Sequence, residues 1–187
     1  MGDDRDVFWA ELQTAAERLL EHAREVEPKE IARRYHSELR LWHYPSFGPH
    51  VSWTIFRRGR KKDVAGSPNL VREVTWDQFA DRRWVYDPAE ALRIAPVNRP
   101  IIRLREATLP EGPLEKIMGD GAALSVPLLG FPGTLGLDGE RWGLENYQFS
   151  PRIRIDWFCD GPVAWRHFID WVGALREFLC RCLDEAG

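Results

Sequence analysis

The residues best equipped for chemistry stand near the end of the chain. In the segment 152–159, Arg152, Arg154 and Asp156 alternate with Ile153, Ile155 and Trp157. On a strand the three polar side chains therefore share one face, and Glu145, on a strand expected at 142–149, can lie across from one of them. Glu145 and Asp156, framed by Arg154, could do general acid and base work in a pocket between this hairpin and the glycine-rich stretch before it. The plainer reading of the same residues is a ladder of cross-strand ion pairs on a solvated sheet face, and that reading is preferred.

A second group is Arg57-Arg58-Gly59-Arg60-Lys61-Lys62, five cations in six positions, with Trp53 and Phe56 close enough to offer a stacking surface. Such a run can grip phosphates. It is also what a solvated hairpin loop looks like when its charges discourage edge-to-edge strand pairing. The whole chain has 26 Lys and Arg against 29 Asp and Glu, a formal net charge of -3. It therefore has no global field for capturing polyanions, and nucleic acid is disfavoured as a partner.

The remaining reactive side chains form weaker patterns. His36, His43 and His50 recur every seven residues, an odd spacing that sends strand neighbours to opposite faces. Only His43 and His50, on either side of a proline-containing turn, can meet, and no cysteine or paired acid stands at ligand spacing, so no metal is expected. Cys159 precedes a helix start, where a dipole could activate a thiol. Its alternation with Ile155 and Trp157 places it instead on the apolar face as packing. Gly119-Asp120-Gly121 lacks the third glycine of a dinucleotide fingerprint, no Gly-Lys-Ser or Gly-Lys-Thr follows, and no cofactor is expected.

The elements that must position these residues are legible in part. Apolar residues at spacings of three and four predict an amphipathic helix over 4–27, with Asp4 and Asp6 at its positive end. Alternation predicts strands at 38–42, 51–55, 70–76 and 101–106. The stretch 77–100 shows little periodicity beyond a short helical turn at 88–92. A short helix is expected at 113–118, then an irregular crossing at 119–139 rich in glycine. The hairpin 142–159 leads, through Asp160-Gly161-Pro162, to a helix over 162–183 whose apolar stripe runs from Trp165 to Leu183.

This order predicts an α+β fold: a single domain over 1–187, with a mainly antiparallel sheet of five or six strands. The N-terminal and C-terminal amphipathic helices are expected to pack on it, on one face.

Nine tryptophans in 187 residues anchor that fold. Trp53, Trp157 and Trp165 fall on inward positions, whereas Trp9, Trp84 and Trp171 fall at the margins of their stripes or in irregular segments. These three are candidate anchors of a binding surface, where Trp and Arg dominate. Apolar residues at 44% and charged residues at 29% describe a globular chain.

The acids in the opening MGDDRDVFWAELQ argue against a secretory signal, and no apolar run reaches the roughly 20 residues of a membrane span. Together with an odd set of three cysteines, this suggests a soluble protein of the cytoplasm. With no recognisable catalytic constellation, the reading leans to a non-enzymatic protein-binding or adaptor protein, toxin-neutralising proteins being one concrete analogy. The alternatives are an enzyme using Glu145 and Asp156, and a nucleic-acid accessory protein using Arg57, Arg58, Arg60, Lys61 and Lys62.

Overall fold

The computed structural model describes residues 4–26, 35–58, 69–87, 99–126, 139–148 and 152–187. The turn expected at 88–92 and most of the crossing at 119–139 lie outside them. Six strands form one sheet: β1 (Tyr35–Pro45), β2 (His50–Arg58), β3 (Asn69–Trp76), β4 (Ile102–Leu109), β5 (Glu140–Asn146) and β6 (Ile153–Phe158). Their order is β4-β3-β2-β1-β5-β6, and every neighbouring pair is antiparallel. Four described helices accompany them: α1 (Asp4–Glu21), α2 (Gln78–Tyr86), α3 (Glu111–Ala122) and α4 (Arg166–Ala186). The α+β reading and the terminal helices stand.

The helices do not share one face of the sheet, as the sequence suggested. Leu39, Leu41, Trp53, Ile55 and Val71 join a core with Leu114 of α3 and with Val172, Leu175 and Leu179 of α4. On the opposite pleat Phe56, Val74 and Trp76 join a second core with Ala16 and Leu20 of α1. Because strand neighbours point to opposite faces, α4 covers one side of β1–β3 and α1 the other. The second covered face is hard to read from sequence because charged residues occupy part of it: Arg40 and Arg72 point toward the α1 side and are almost fully buried.

Those buried charges are tied down. Arg72 donates to the carbonyl oxygens of Ala23 (2.6 Å) and Val26 (2.7 Å), just beyond α1, and pairs with Glu106 on β4. Glu73, on the other face, accepts from Trp53 Nε1 (2.9 Å) and from Arg105 (2.7 Å), while Arg105 also reaches Asp184 of α4 at 2.8 Å. A buried ion left without its partner costs several kcal/mol, so these pairs fix how each helix meets the sheet.

The segment after β3, where periodicity is poor, is helix α2. Asp77 caps it, its carboxylate accepting from the Phe79 and Ala80 amides at 3.2 and 3.1 Å. Asp81, one turn on, is buried and accepts from Trp76 Nε1 (2.7 Å) and the Ile101 amide (3.1 Å), which ties β3, α2 and the start of β4 together. Among the described residues, no helix is long and apolar enough to cross a membrane.

Opposite Trp42 in the β1–β5 register stands Gly143. The indole packs against the glycine, so an added Cβ would overlap the Cζ2 and Cε2 atoms of a fully buried residue. Gly143→Ala is therefore expected to destabilise the protein by about 1–3 kcal/mol through overpacking. Urea denaturation measures this, and an unchanged midpoint would show that Trp42 can move aside.

Candidate functional site

The β5–β6 hairpin pairs Glu145 with Arg154 and Trp142 with Trp157, so Glu145 and Asp156 face away from its indoles, whereas Glu140 lies beside Trp142 and accepts from its Nε1 at 3.2 Å. On the α1 side, Glu145 lies 3.6 Å from Arg40 and accepts from the Tyr147 hydroxyl at 2.9 Å. Arg154 lies over the Trp42 ring at 4.8 Å and 3.3 Å from Glu21. Asp156 sits 3.3 Å from Arg141 and 3.8 Å from Arg154. Each acid thus has a cation within ion-pair range, and the half-exposed pairs form a strand-binding ladder.

The other sequence candidates are dispersed. Arg57 pairs with Glu38 and with Glu115 of α3, 2.8 Å away. The Arg58 side chain, Arg60, Lys61 and Lys62 lie outside the described residues. Trp9 stacks on Trp76 with centroids 5.9 Å apart, Trp84 meets Phe8 at 5.6 Å, and Trp171 donates from Nε1 to the Ile117 carbonyl at 2.7 Å. All three are half-buried in packing between helices or between helix and sheet.

The three histidines do not converge. His36 is exposed near the start of β1. His43 stacks on Trp142 at 3.9 Å on the α4 side, while His50 stacks on Tyr44 at 4.8 Å on the α1 side. Among the described residues, no group of three His, Cys, Asp or Glu side chains is placed to hold a metal ion.

The register gathers a feature that sequence order scatters. The end of β1, the start of β2, the end of β3, the starts of β4 and β5 and the end of β6 all lie at one end of the sheet. Seven large apolar side chains are exposed among the described residues, and five belong to this end: Phe47, Phe79, Ile101, Phe158 and Val163. Phe47, at the tip of the β1–β2 turn, is 79% exposed, and Val163, just beyond β6, is 93% exposed. The α2 helix abuts the same turn, Gln78 Nε2 reaching the Gly48 carbonyl at 3.5 Å. Ser46 ties the turn to the start of β5 through the Gly139 carbonyl, 2.7 Å from its hydroxyl.

Toward the same end of the sheet a hollow of about 510 Å³ opens between the β5–β6 hairpin and α4. Trp142, Trp157, Ile169 and Val172 supply apolar walls, Gly173 leaves one wall without a side chain, Glu140 and Asp160 add carboxylates to the lining, and Arg176 lies over the Trp142 ring at 5.6 Å. The volume is in the range of small-molecule sites and of pockets that accept a partner's anchor residue. Glu145 and Asp156 face away from it, on the other side of the hairpin. Cys159 lines its rim and is exposed, contrary to the expectation of packing. The strand ends at Phe158, and Cys159 turns into the left-handed region at φ 49°, so the alternation that would have pointed it inward stops one residue short.

No family model, no curated protein and no solved structure matches the chain.

His50 underpins the exposed end, its ring edge-on to Trp76 at 5.4 Å and its Nε2 3.1 Å from the Gln78 amide nitrogen. Burial pushes its imidazole down to about 4, opposed by the Pro45 backbone nearby and helped by His43. Below the ordinary histidine value of about 6.5, the unfolded chain takes up a proton that the folded chain refuses until the pH nears 4. This contribution to stability is therefore lost as pH falls through that window. His50→Phe keeps the ring and removes the titration. Its stability, followed by urea denaturation from pH 7 to 4.5, is expected to fall less steeply than that of the wild type, whereas parallel curves would contradict the assignment.

Proposed function

We propose that the chain is a non-enzymatic protein-binding module that docks its partner across the β1–β2 turn end of the sheet. In this reading the hollow beside Trp142 and Trp157 receives an apolar side chain of the partner. The supporting observation is the gathering of Phe47, Phe79, Ile101, Phe158 and Val163 at that end. Leaving apolar surface in water forgoes roughly 25 cal/mol per Å², and both sheet faces already have cores, so the fold gains nothing by displaying these groups. Exposed apolar groups beside an aromatic-walled hollow suit a hot spot, where one buried anchor carries much of the binding energy.

Cys159, Cys180 and Cys182 are all unpaired, which fits a partner met in a reducing compartment such as the cytoplasm. A toxin-neutralising protein, which must cover part of its target, is one concrete form of this reading.

Affinity purification from the native cell tests it with three variants. Phe47→Asp/Val163→Asp charges the apolar end. Gly173→Leu fills the hollow at a position where an added Cβ meets nothing within 4 Å. Ile153→Asp alters an exposed apolar residue on β6 at the opposite end of the sheet. A partner recovered stoichiometrically with the wild type is expected to fall about tenfold or more with the first two, a loss of about 1.4 kcal/mol, and to persist with Ile153→Asp. Recovery of the bait alone, or equal loss with all three, would overturn the proposal.

A further inference from the structure

A second hollow, of about 360 Å³, lies at the opposite end of the sheet on the α1 side. It is framed by the turn after α1 (Arg24), the start of β1 (Ser37), Thr54 of β2, and Tyr147 and Arg152 from the two sides of the β5–β6 connection. Its charge balance is uneven. The two carboxylates in its wall are held by cations outside the lining: Glu21 by Arg40 and Arg154 at 3.7 and 3.3 Å, and Glu25 by Arg18 at 3.0 Å. Among the described residues, Arg24 and Arg152 have no carboxylate partner. Arg24 lies over the Phe56 ring at 5.7 Å and Arg152 over the Tyr147 ring at 5.0 Å. Two uncompensated guanidinium groups therefore border one small cavity.

The polar atoms inside it ask for the same complement. Thr54 is 3% exposed, lines the hollow, and its Oγ1 has no hydrogen-bond partner. Arg24 Nε is likewise buried without a partner, and burial pushes its guanidinium pKa down. An unsatisfied buried hydroxyl or N–H is costly, and a guanidinium N–H can only donate, so both are best satisfied by an acceptor that also carries negative charge.

We infer that this hollow binds the phosphate of a small phosphorylated metabolite, with Arg24 and Arg152 clasping the oxyanion and Thr54 donating to it. Paired arginine forks match a tetrahedral oxyanion with several acceptor oxygens. The volume is at the lower end for small-molecule sites and leaves room for a short organic body beside Tyr147. The site stands apart from the apolar end, so either can fail without the other.

Calorimetric titration of the full chain with glycerol phosphate, and separately with acetate, tests the inference. Saturable binding of glycerol phosphate is expected, with acetate at least about tenfold weaker because it has fewer acceptor oxygens and less charge. Arg24→Gln and Arg152→Gln are each expected to weaken glycerol phosphate about tenfold or more, the scale of a hydrogen bond to a charged group. Thr54→Val separates binding from folding. Removing a partnerless hydroxyl should leave the unliganded protein with an equal or higher melting temperature, while glycerol phosphate affinity drops several-fold. No saturable binding, equal affinity for acetate, unchanged affinity in the arginine variants or in Thr54→Val, or a Thr54→Val protein less stable than wild type would overturn it.

Discussion

A sheet covered on both faces has to pair the charges that its pleat turns inward, and this chain turns inward Glu38, Arg40, Arg72 and Glu73. Their partners come from almost every part of the fold: Arg57 for Glu38, Glu21 and Glu145 for Arg40, Glu106 and two backbone carbonyls after α1 for Arg72, and Trp53 and Arg105 for Glu73. Dispersion and burial make the sheet compact, but these pairings set which residue faces which, because a misplaced helix would strand an ion in a low-dielectric interior. The Trp42 indole belongs to the same arrangement. It lies against Gly143, and both Arg40 and Arg154 lie over it, at 4.4 and 4.8 Å.

With both faces of β1–β3 closed, new surface appears toward the edges and ends of the sheet, and the two ends differ in chemistry. One carries Phe47, Phe79, Ile101, Phe158 and Val163 beside an aromatic-walled hollow. At the other, Arg24 and Arg152 border a hollow whose acids are already paired elsewhere. Such separation lets one rigid scaffold present an apolar surface and a cationic cavity without either disturbing the core, since neither needs a buried residue to move.

How much of this was legible depends on what water touches. The alternation of Ile153, Ile155 and Trp157 with Arg152, Arg154 and Asp156 gave both the strand and the polar ladder correctly, because β6 is an edge strand with one wet face. The same logic would turn Arg40 outward. It fails because α1 covers that face, a tertiary fact that no local pattern carries. Trp9, Trp84 and Trp171 sat at the margins of their stripes because a second layer of packing covers them: α1 on β3, α2 on α1 and α3 on α4. Helix α2 is short and aromatic, too short for its periodicity to show in the stretch 77–100, and the structure finds Asp77 capping it. The apolar end could not be read at all. Phe47, Ile101, Phe158 and Val163 are far apart in the chain, and only the strand register places them at the same end of the sheet.

Whether that end is covered in the cell bears most directly on the account. Hydroxyl-radical footprinting reports side-chain access residue by residue, and it can be run on the purified protein and inside the native cell. Covered by a partner, Phe47 and Phe158 should be oxidised several-fold more slowly in the cell than when purified, while Ile153, at the far end of β6, keeps its rate. Equal rates for Phe47 and Phe158 in both settings would contradict a protein-docking surface at the β1–β2 turn end of the sheet.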